Sequence, residues 1–394
     1  MTRSLYIALE DVFNRDSQGN IWSAAGFEPN FWERYAAVFE TIVVVARMRD
    51  VSELAPPHLI ISRRHLSFAG LRFYRGPIDF LRSLFWLLPQ IRKISSRPGY
   101  FILRLPGAIG TLLGIMCAVR RRPFAVELVG DPHDVLSGEG FSPIVRMMRA
   151  PITLATKLLC RISVGNAYVT ERTLQQRYPA GKGRYSDGIS SINLASIQIS
   201  DSAKTHEAHT PFRLFFCGSL AQLYKGLDVL IEAVALLTEK GKDVIVEVAG
   251  DGNFRARLEN LARDRGVADR FSFRGHIPRA AVLAACDAAD VFVMPSRTEG
   301  LPRAMVEAMA RGMCCIGARV GGIPELLTED ALVPAGDAKA LADAIEHAMD
   351  NLQWTNAQAR RNLDFAQKFS ADALGPRRTS FYREVKRLTE EAAT

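Results

Sequence analysis

The 394-residue chain has few cysteines, and none is arranged to build a framework. Cys117, Cys160, Cys217, Cys286, Cys314 and Cys315 form no C-x-x-C pair and have no histidine beside them at ligand spacing. Most lie in apolar stretches, where a free thiol behaves as a small hydrophobe. Neither a disulfide scaffold nor structural zinc is expected, and a reducing compartment fits. Long hydrophobic runs are also missing. The best candidate, 101–119, is interrupted by Arg104 and Pro106 and falls short of the roughly 20 residues that span a bilayer. The first residues, MTRSLYIAL, show no cleavage pattern and too short an apolar region for a signal peptide. A soluble cytoplasmic protein, or one peripheral to the membrane, is expected. The halves share no repeat.

With 48% apolar and 23% charged residues the composition is globular. At roughly 100–200 residues per domain, the length indicates two or three domains. The charge is uneven. Residues 1–200 carry 25 basic and 15 acidic side chains, and residues 201–394 carry 25 and 27. A basic half suits nucleic acid, anionic lipid or an anionic substrate, or is only a scatter of solvated arginines.

Short apolar runs alternate with helical periodicity. Strands are predicted at 4–9, 41–46, 100–105, 124–129 and 163–169, with helices at 30–40, 78–94, 108–121, 143–160 and 171–178. Residues 191–211, rich in Ser, Ile and small polar side chains, read as a linker. The pattern restarts with strands at 213–217, 244–249, 270–274, 291–294, 313–317 and 331–333, separated by helices. The fold class is α/β, with two doubly wound Rossmann-like domains at 1–190 and 212–370 and a last helix over 371–394. The carboxyl ends of the two sheets are expected to face a cleft, so function belongs on loops that follow strands.

Four such loops stand out. In Gly218–Gly226 the glycine permits close approach to the backbone, and Lys225 stands at a helix start. A helix dipole disfavours a cation there, so the lysine is either a phosphate ligand or an exposed turn residue. Gly250-Asp-Gly252 is a ligand loop or a tight turn. His276 and Ile277, before Pro278, offer backbone groups to a flat base or are ordinary surface. The fourth loop runs PSRTEGLPRAMVE from Pro295 to Glu307. The N–H groups of Gly300, Leu301 and Arg303 form an anion site at a helix start where Pro302 fits the first turn. Glu299 and Glu307 bracket it, a separation that suits a nucleoside diphosphate sugar, or equally a capped helix with an unrelated surface glutamate.

These motifs together resemble the donor domain of the retaining glycosyltransferases of family 4, which have the GT-B fold. The resemblance covers residues 213–327: the Gly218–Gly226 loop, AGDG at 249–252, FRGHIP at 273–278, ADVFVMPSRTEGLPRAMVEAMARG at 289–312 and GGIPEL at 321–326. It implies a nucleotide-sugar donor in the second domain, an acceptor in the first, and a last helix that crosses back to the first. In its Glu-x7-Glu motif Glu299 meets the donor sugar and Glu307 the ribose, Lys225 neutralises the diphosphate, and backbone at His276 and Ile277 meets the base. The family often has Arg where this chain has Ser219, so one diphosphate cation is missing. Arg297 or Arg303 is a candidate substitute. The implied transfer retains anomeric configuration, uses no cofactor and needs no metal; Asp287 and Asp290 read as structural.

In the first domain the resemblance directs attention to Gly19 and Asn20, in a polar loop after the first strand, and to Asp131 and His133, after strand 124–129. Basic amphipathic stretches at 78–97 and 142–161 either face the core or lie on anionic lipid at the inner face of the membrane. The expected enzyme transfers a sugar from a UDP- or GDP-sugar to a polysaccharide or lipid-linked glycan. A nucleotide-sugar epimerase of the same fold and a non-catalytic donor-binding scaffold are the alternatives. Nucleic acid is not an expected partner, because no binding motif accompanies the charge.

Overall fold

Continuous Val, Ile and Leu runs become the central strands of two sheets. In a computed structural model, which describes residues 3–23, 27, 29–52, 65–135, 143–192, 194 and 199–392, the chain divides into two units. Among the described residues, the first comprises those up to 135, those of 143–189 and those from 375 onward, and the second comprises those of 190–374.

The first unit contains β1 (Ser4–Arg15), β2 (Ile21–Ser23), β3 (Ile42–Asp50), β4 (Leu66–Arg72), β5 (Gly99–Leu105), β6 (Ala125–Leu128), β7 (Gly165–Tyr168) and β8 (Tyr185–Gly188). Its helices are α1 (Pro29–Ala36), α2 (Gly76–Ser95), α3 (Ala108–Val119), α4 (Pro132–Val135), α5 (Pro143–Ile162) and α6 (Thr173–Arg177). The strand order is β4-β3-β1-β5-β6-β7-β8, all parallel, with β2 antiparallel on β1. This is a doubly wound sheet whose order reverses between β1 and β5. Leu5, Ile7, Val44, Ile102 and Val126 are fully buried at its centre. β1 outruns the predicted 4–9. After a register shift between Ala8 and Val12 it pairs with β3 as far as Arg15.

The second unit contains β9 (Phe212–Cys217), β10 (Val244–Ala249), β11 (Phe271–Gly275), β12 (Val291–Met294), β13 (Cys314–Ala318) and β14 (Leu332–Val333). They form an all-parallel sheet in the order β11-β10-β9-β12-β13-β14, reversing between β9 and β12. Its helices are α7 (Leu227–Glu239), α8 (Arg255–Asp264), α9 (Arg279–Ala288), α10 (Arg303–Ala310), α11 (Ile323–Leu326), α12 (Ala338–Asp350) and α13 (Leu352–Ala366). Leu230, Ile231, Val234 and Leu237 of α7 pack against Leu214, Val246 and Val293 of the sheet.

The predicted linker is corrected in one respect. The units divide at Ile189 and Ser190, and the described residues of 191–211 belong to the second unit. Ile192 and Leu194 enter its core, Ser200 N–H donates to Ala310 O at 2.9 Å, and His206 is buried. Residues 193 and 195–198 of that segment lie outside the described residues. The last helix, α14 (Ala371–Glu391), belongs to the first unit from Gly375 onward. Its Phe381, Tyr382 and Val385 are buried with Tyr35, Phe39 and Tyr100, and Tyr382 OH donates to the buried Glu127 at 2.7 Å. Among the described residues no helix is long and apolar enough to cross a membrane.

Candidate functional site

In the second unit the sheet order reverses between β9 and β12, and the loops leaving those strands flank the crevice where doubly wound sheets bind ligands. The sequence motifs meet there. Gly226 sits at φ 74° with Pro295 O only 2.0 Å from where a Cβ would be, and Arg297 N–H donates to Tyr224 O at 2.7 Å. Gly321 (φ 52°) lies equally close to Glu299, whose carbonyl would be 1.8 Å from a Cβ. Gly322 N–H donates to Gly300 O at 2.7 Å. Only residues without a side chain allow such approaches, which accounts for the glycines in both motifs. Gly218 N–H donates to Ala249 O at 2.9 Å, Leu220 N–H to Asp251 O at 2.9 Å, and Gly250 N–H to Gly275 O at 2.8 Å. The loops after β9, β10, β11, β12 and β13 therefore form one connected rim.

Lys225 and Glu299 share this rim as an ion pair. Nζ lies 2.6 Å from Oε1, with 15% and 8% of the two side chains exposed. Ser296 Oγ donates to the same carboxylate oxygen at 2.8 Å. Burial pulls the Lys225 ammonium toward neutrality, but the charge and hydrogen bond of Glu299, with Tyr224 and Cys217, together outweigh it and hold its pKa above the ordinary value. At the end of β9, burial pushes the Cys217 thiol up to about 11; the Glu307 charge adds to this and Lys225 opposes it.

Helix α10 begins at Arg303 with Pro302 as N-cap, and no side chain caps it. Glu307 is the fifth residue of that helix, just over one turn in. Its buried carboxylate lies 3.4 Å from the Arg279 guanidinium at the start of α9. Leu301 and Ala304 pack partly buried against the core, while Arg303 is exposed. Ser219 is exposed and its hydroxyl accepts from Ala221 N–H at 3.3 Å. His276 is exposed, and Ile277 packs against the core. Arg297, a candidate substitute cation, is paired within the second unit. Its two terminal nitrogens clamp Asp228 at 2.8 and 2.6 Å. Sequence reasoning missed Arg279 and Ser296. The first immediately follows FRGHIP, and the second stands three residues before Glu299 within a motif already singled out.

In the first unit the selected residues fall on two turns. Gly19 and Asn20 form the tip of the β1–β2 hairpin, a self-satisfied turn in which Asp16 accepts from the N–H of Gln18 (2.9 Å) and Asn20 (2.8 Å). They are not a loop at the carboxyl end of the expected 4–9 strand, because β1 continues past it. Asp131 is 4% exposed and spends its oxygens on Tyr178 OH at 2.5 Å, on Arg177 and on His133 N–H at 2.9 Å. It anchors the turn that carries the half-buried His133. At the actual switch point the structure instead places Glu10 and Asp11, in the irregular part of β1. Burial raises both carboxyl pKa values against the opposing charge of Arg47, with Arg104 also opposing at Asp11. Two acidic residues directly after an apolar strand were the available signal.

Residues 198–363 match the family model described as glycosyl transferases group 1. The 2-deoxystreptamine glucosyltransferase of Streptomyces kanamyceticus is 34% identical over 354 residues, 81% of this chain and 88% of that protein. Among solved structures, sucrose-phosphate synthase from Thermosynechococcus elongatus is similar with a TM-score of 0.71, covering 98% of this chain and 99% of that one at 19% identity. Anabaena Alr3699/HepE in complex with UDP and glucose gives 0.66 over 96% and 98% of the two chains at 17% identity. These two likenesses carry the fold, which is GT-B: two Rossmann-like parallel-sheet domains. The family match lies on the unit that holds the connected rim, the full-length relative extends it through both units, and the chain belongs to the group 1 glycosyl transferases.

Proposed function

We propose that the chain is a retaining glycosyltransferase of the family 4 type, moving a sugar from a UDP- or GDP-sugar to a polysaccharide or lipid-linked glycan without a metal ion. The observation that carries this is the buried Lys225–Glu299 pair beside the uncapped start of α10. The diphosphate lies at the start of α10, over the N–H groups of Gly300 and Leu301 in the preceding loop and of Arg303 in the first turn, with Gly218 leaving the backbone accessible, Gly226 closing its loop against Pro295 and Lys225 supplying the cation. Glu307 accepts from the ribose hydroxyls and Glu299 from the sugar hydroxyls, while backbone at His276 and Ile277 meets the base. As the sugar leaves, negative charge grows on the diphosphate. Fixed N–H groups and an ammonium already in place stabilise it without reorganisation. The leaving phosphate takes the acceptor proton on the same face, which preserves anomeric configuration. Ser219, where the family often has Arg, contributes one hydrogen bond. His133, with Asp131 positioning it, is the first unit's contribution to catalysis. The protein works in the cytoplasm, at the inner face of the membrane.

A thermal-shift panel of UDP-, GDP- and ADP-sugars on the wild type and Glu307→Ala tests the donor site. A donor at 100 times its Kd stabilises the fold by about 2.7 kcal/mol. The expected result is a shift with one base that Glu307→Ala loses. No shift with any donor removes the reading.

A further inference from the structure

The first sheet has its own switch point between β1 and β5, and the crevice there is a cavity of about 460 Å³, within the roughly 300–1,000 Å³ usual for small-molecule sites. Its floor is polar and largely engaged within the protein. Glu10 accepts from Tyr74 OH and, at 3.0 Å, from Ile109 N–H; Arg47 donates to Tyr74 O at 3.0 Å and to Glu10 O. The Glu10 carboxylate thus caps α3 and leaves that helix start unavailable to an anion. The walls are apolar, built from Phe80 of α2, Leu112 and Ile115 of α3, and Met148, Ile152 and Ala155 of α5. A sugar would leave its hydroxyls facing such walls unpaired.

The cavity is continuous with an unusual surface. All eleven exposed large hydrophobics among the described residues lie on α2, α3 and α5, including Phe85 at 79% and Met147 at 74% exposure. Ile115 belongs to both, as a cavity wall that is 39% exposed. Residues 76–95, 108–122 and 143–162 carry ten basic side chains and one acidic, a net +9 against +8 for the whole chain. An occupant of this crevice therefore has an apolar chain for the walls and an anionic head for the basic rim. We infer that the cavity holds the hydrocarbon chain of an anionic lipid, the lipid portion of the acceptor. This rests on the lipid-linked acceptor proposed above and names the subsite for its chain.

The probe is cis-parinaric acid, a fluorescent fatty acid. The wild type binds it saturably, one per chain. Ala155→Trp, which fills the cavity, and Ile115→Asp, at the exposed mouth where unfolding is not at issue, each weaken binding at least tenfold. Phe85→Ser, on the surface outside the cavity, leaves it unchanged. Displacement by geranylgeranyl phosphate assigns the chain to a polyprenyl-linked molecule, and displacement by dihexanoylphosphatidylglycerol alone assigns it to a bilayer lipid; both uphold the lipid subsite, and only the first upholds the acceptor assignment. Absence of saturable binding, or wild-type binding by both variants, overturns the inference. Because the readout is lipid binding, a protein that binds parinarate but no nucleotide sugar loses the transferase reading and keeps the cavity; the opposite result loses only the cavity.

Discussion

Breaking the Lys225–Glu299 pair gives the sharpest test of the site. At 2.6 Å, Coulomb attraction at an effective dielectric near 20 is about 6 kcal/mol, most of it offset by the desolvation of both groups. Removing one partner strands the other in a site where little of either side chain reaches water, which typically costs about 3–5 kcal/mol. Lys225→Met belongs at the low end, about 3 kcal/mol, because Ser296 Oγ still donates to the Glu299 carboxylate. Glu299→Gln costs a similar amount, and the double variant costs less than the sum by at least about 1 kcal/mol. Native-state hydrogen exchange on peptides from β9 and β12 reads the opening free energy of the second unit alone. The functional half follows from the same contact. Glu299→Gln releases Lys225 to the diphosphate, so affinity for the free nucleoside diphosphate rises about fivefold, equivalent to roughly 1 kcal/mol, while sugar transfer falls. Single variants costing under about 0.5 kcal/mol, or additive effects, would mean a solvated surface pair and refute the reasoning.

Gly226→Ala forces a left-handed residue, costing about 1–2 kcal/mol, and drives its Cβ into Pro295 O. Calorimetry should show that loss together with weaker nucleotide-sugar binding, and an unchanged protein would contradict the close-packed rim. At Asp290, burial pushes the carboxyl pKa up, but hydrogen bonds from His206 and the Arg213 N–H, with the His209 charge, hold it below the usual carboxylate value. Its stabilisation is present above the unfolded pKa of about 3.9 and is lost as pH falls through the lower folded value. Urea titrations from pH 7 to 2 should therefore find that Asp290→Asn is less stable at neutrality and has a flatter acid limb. Exchanging Arg146, Lys157 and Arg161 of α5 for Gln should lower partitioning onto phosphatidylglycerol vesicles about 100-fold at low salt, at roughly 1 kcal/mol per basic residue. Equal sedimentation with vesicles would exclude this face from membrane contact.

Elements were legible where burial is symmetrical. β5, β9, β10 and β12 are largely buried, so their residues read as mainly apolar runs, broken only by Arg104, Arg213 and Glu247, and each was found to within a residue or two. β4 and β8 lie at or near the sheet margin, half exposed, and LSFAGLR and YSDG carry no such run. The donor-side loops were legible because their glycines answer steric demands that survive in one dimension: Gly226 faces Pro295, and Gly321 faces Glu299. What spacing could not supply is which charges meet. Lys225 reads alone as a cation awaiting an anion, yet its partner is 74 positions away. Only the reversal of strand order between β9 and β12 sets those two loops side by side.

The first unit shows the same limit from the other direction. Ending the first strand with its apolar run at Leu9 made the next polar stretch look like the crevice loop, which drew attention to Gly19 and Asn20. The backbone shifts register between Ala8 and Val12 and then resumes pairing, so the residues presented at the switch point are Glu10 and Asp11. An irregularity of that kind re-aims side chains without ending a strand, and no hydrophobic pattern encodes it. The lesson for the acceptor side is chemical. Glu10, in the irregular part of β1, and Asp131, after β6, are both carboxylates, but they accept from Tyr74 and Ile109 in one case and from Tyr178 and Arg177 in the other. What this crevice offers a ligand is chiefly its apolar walls.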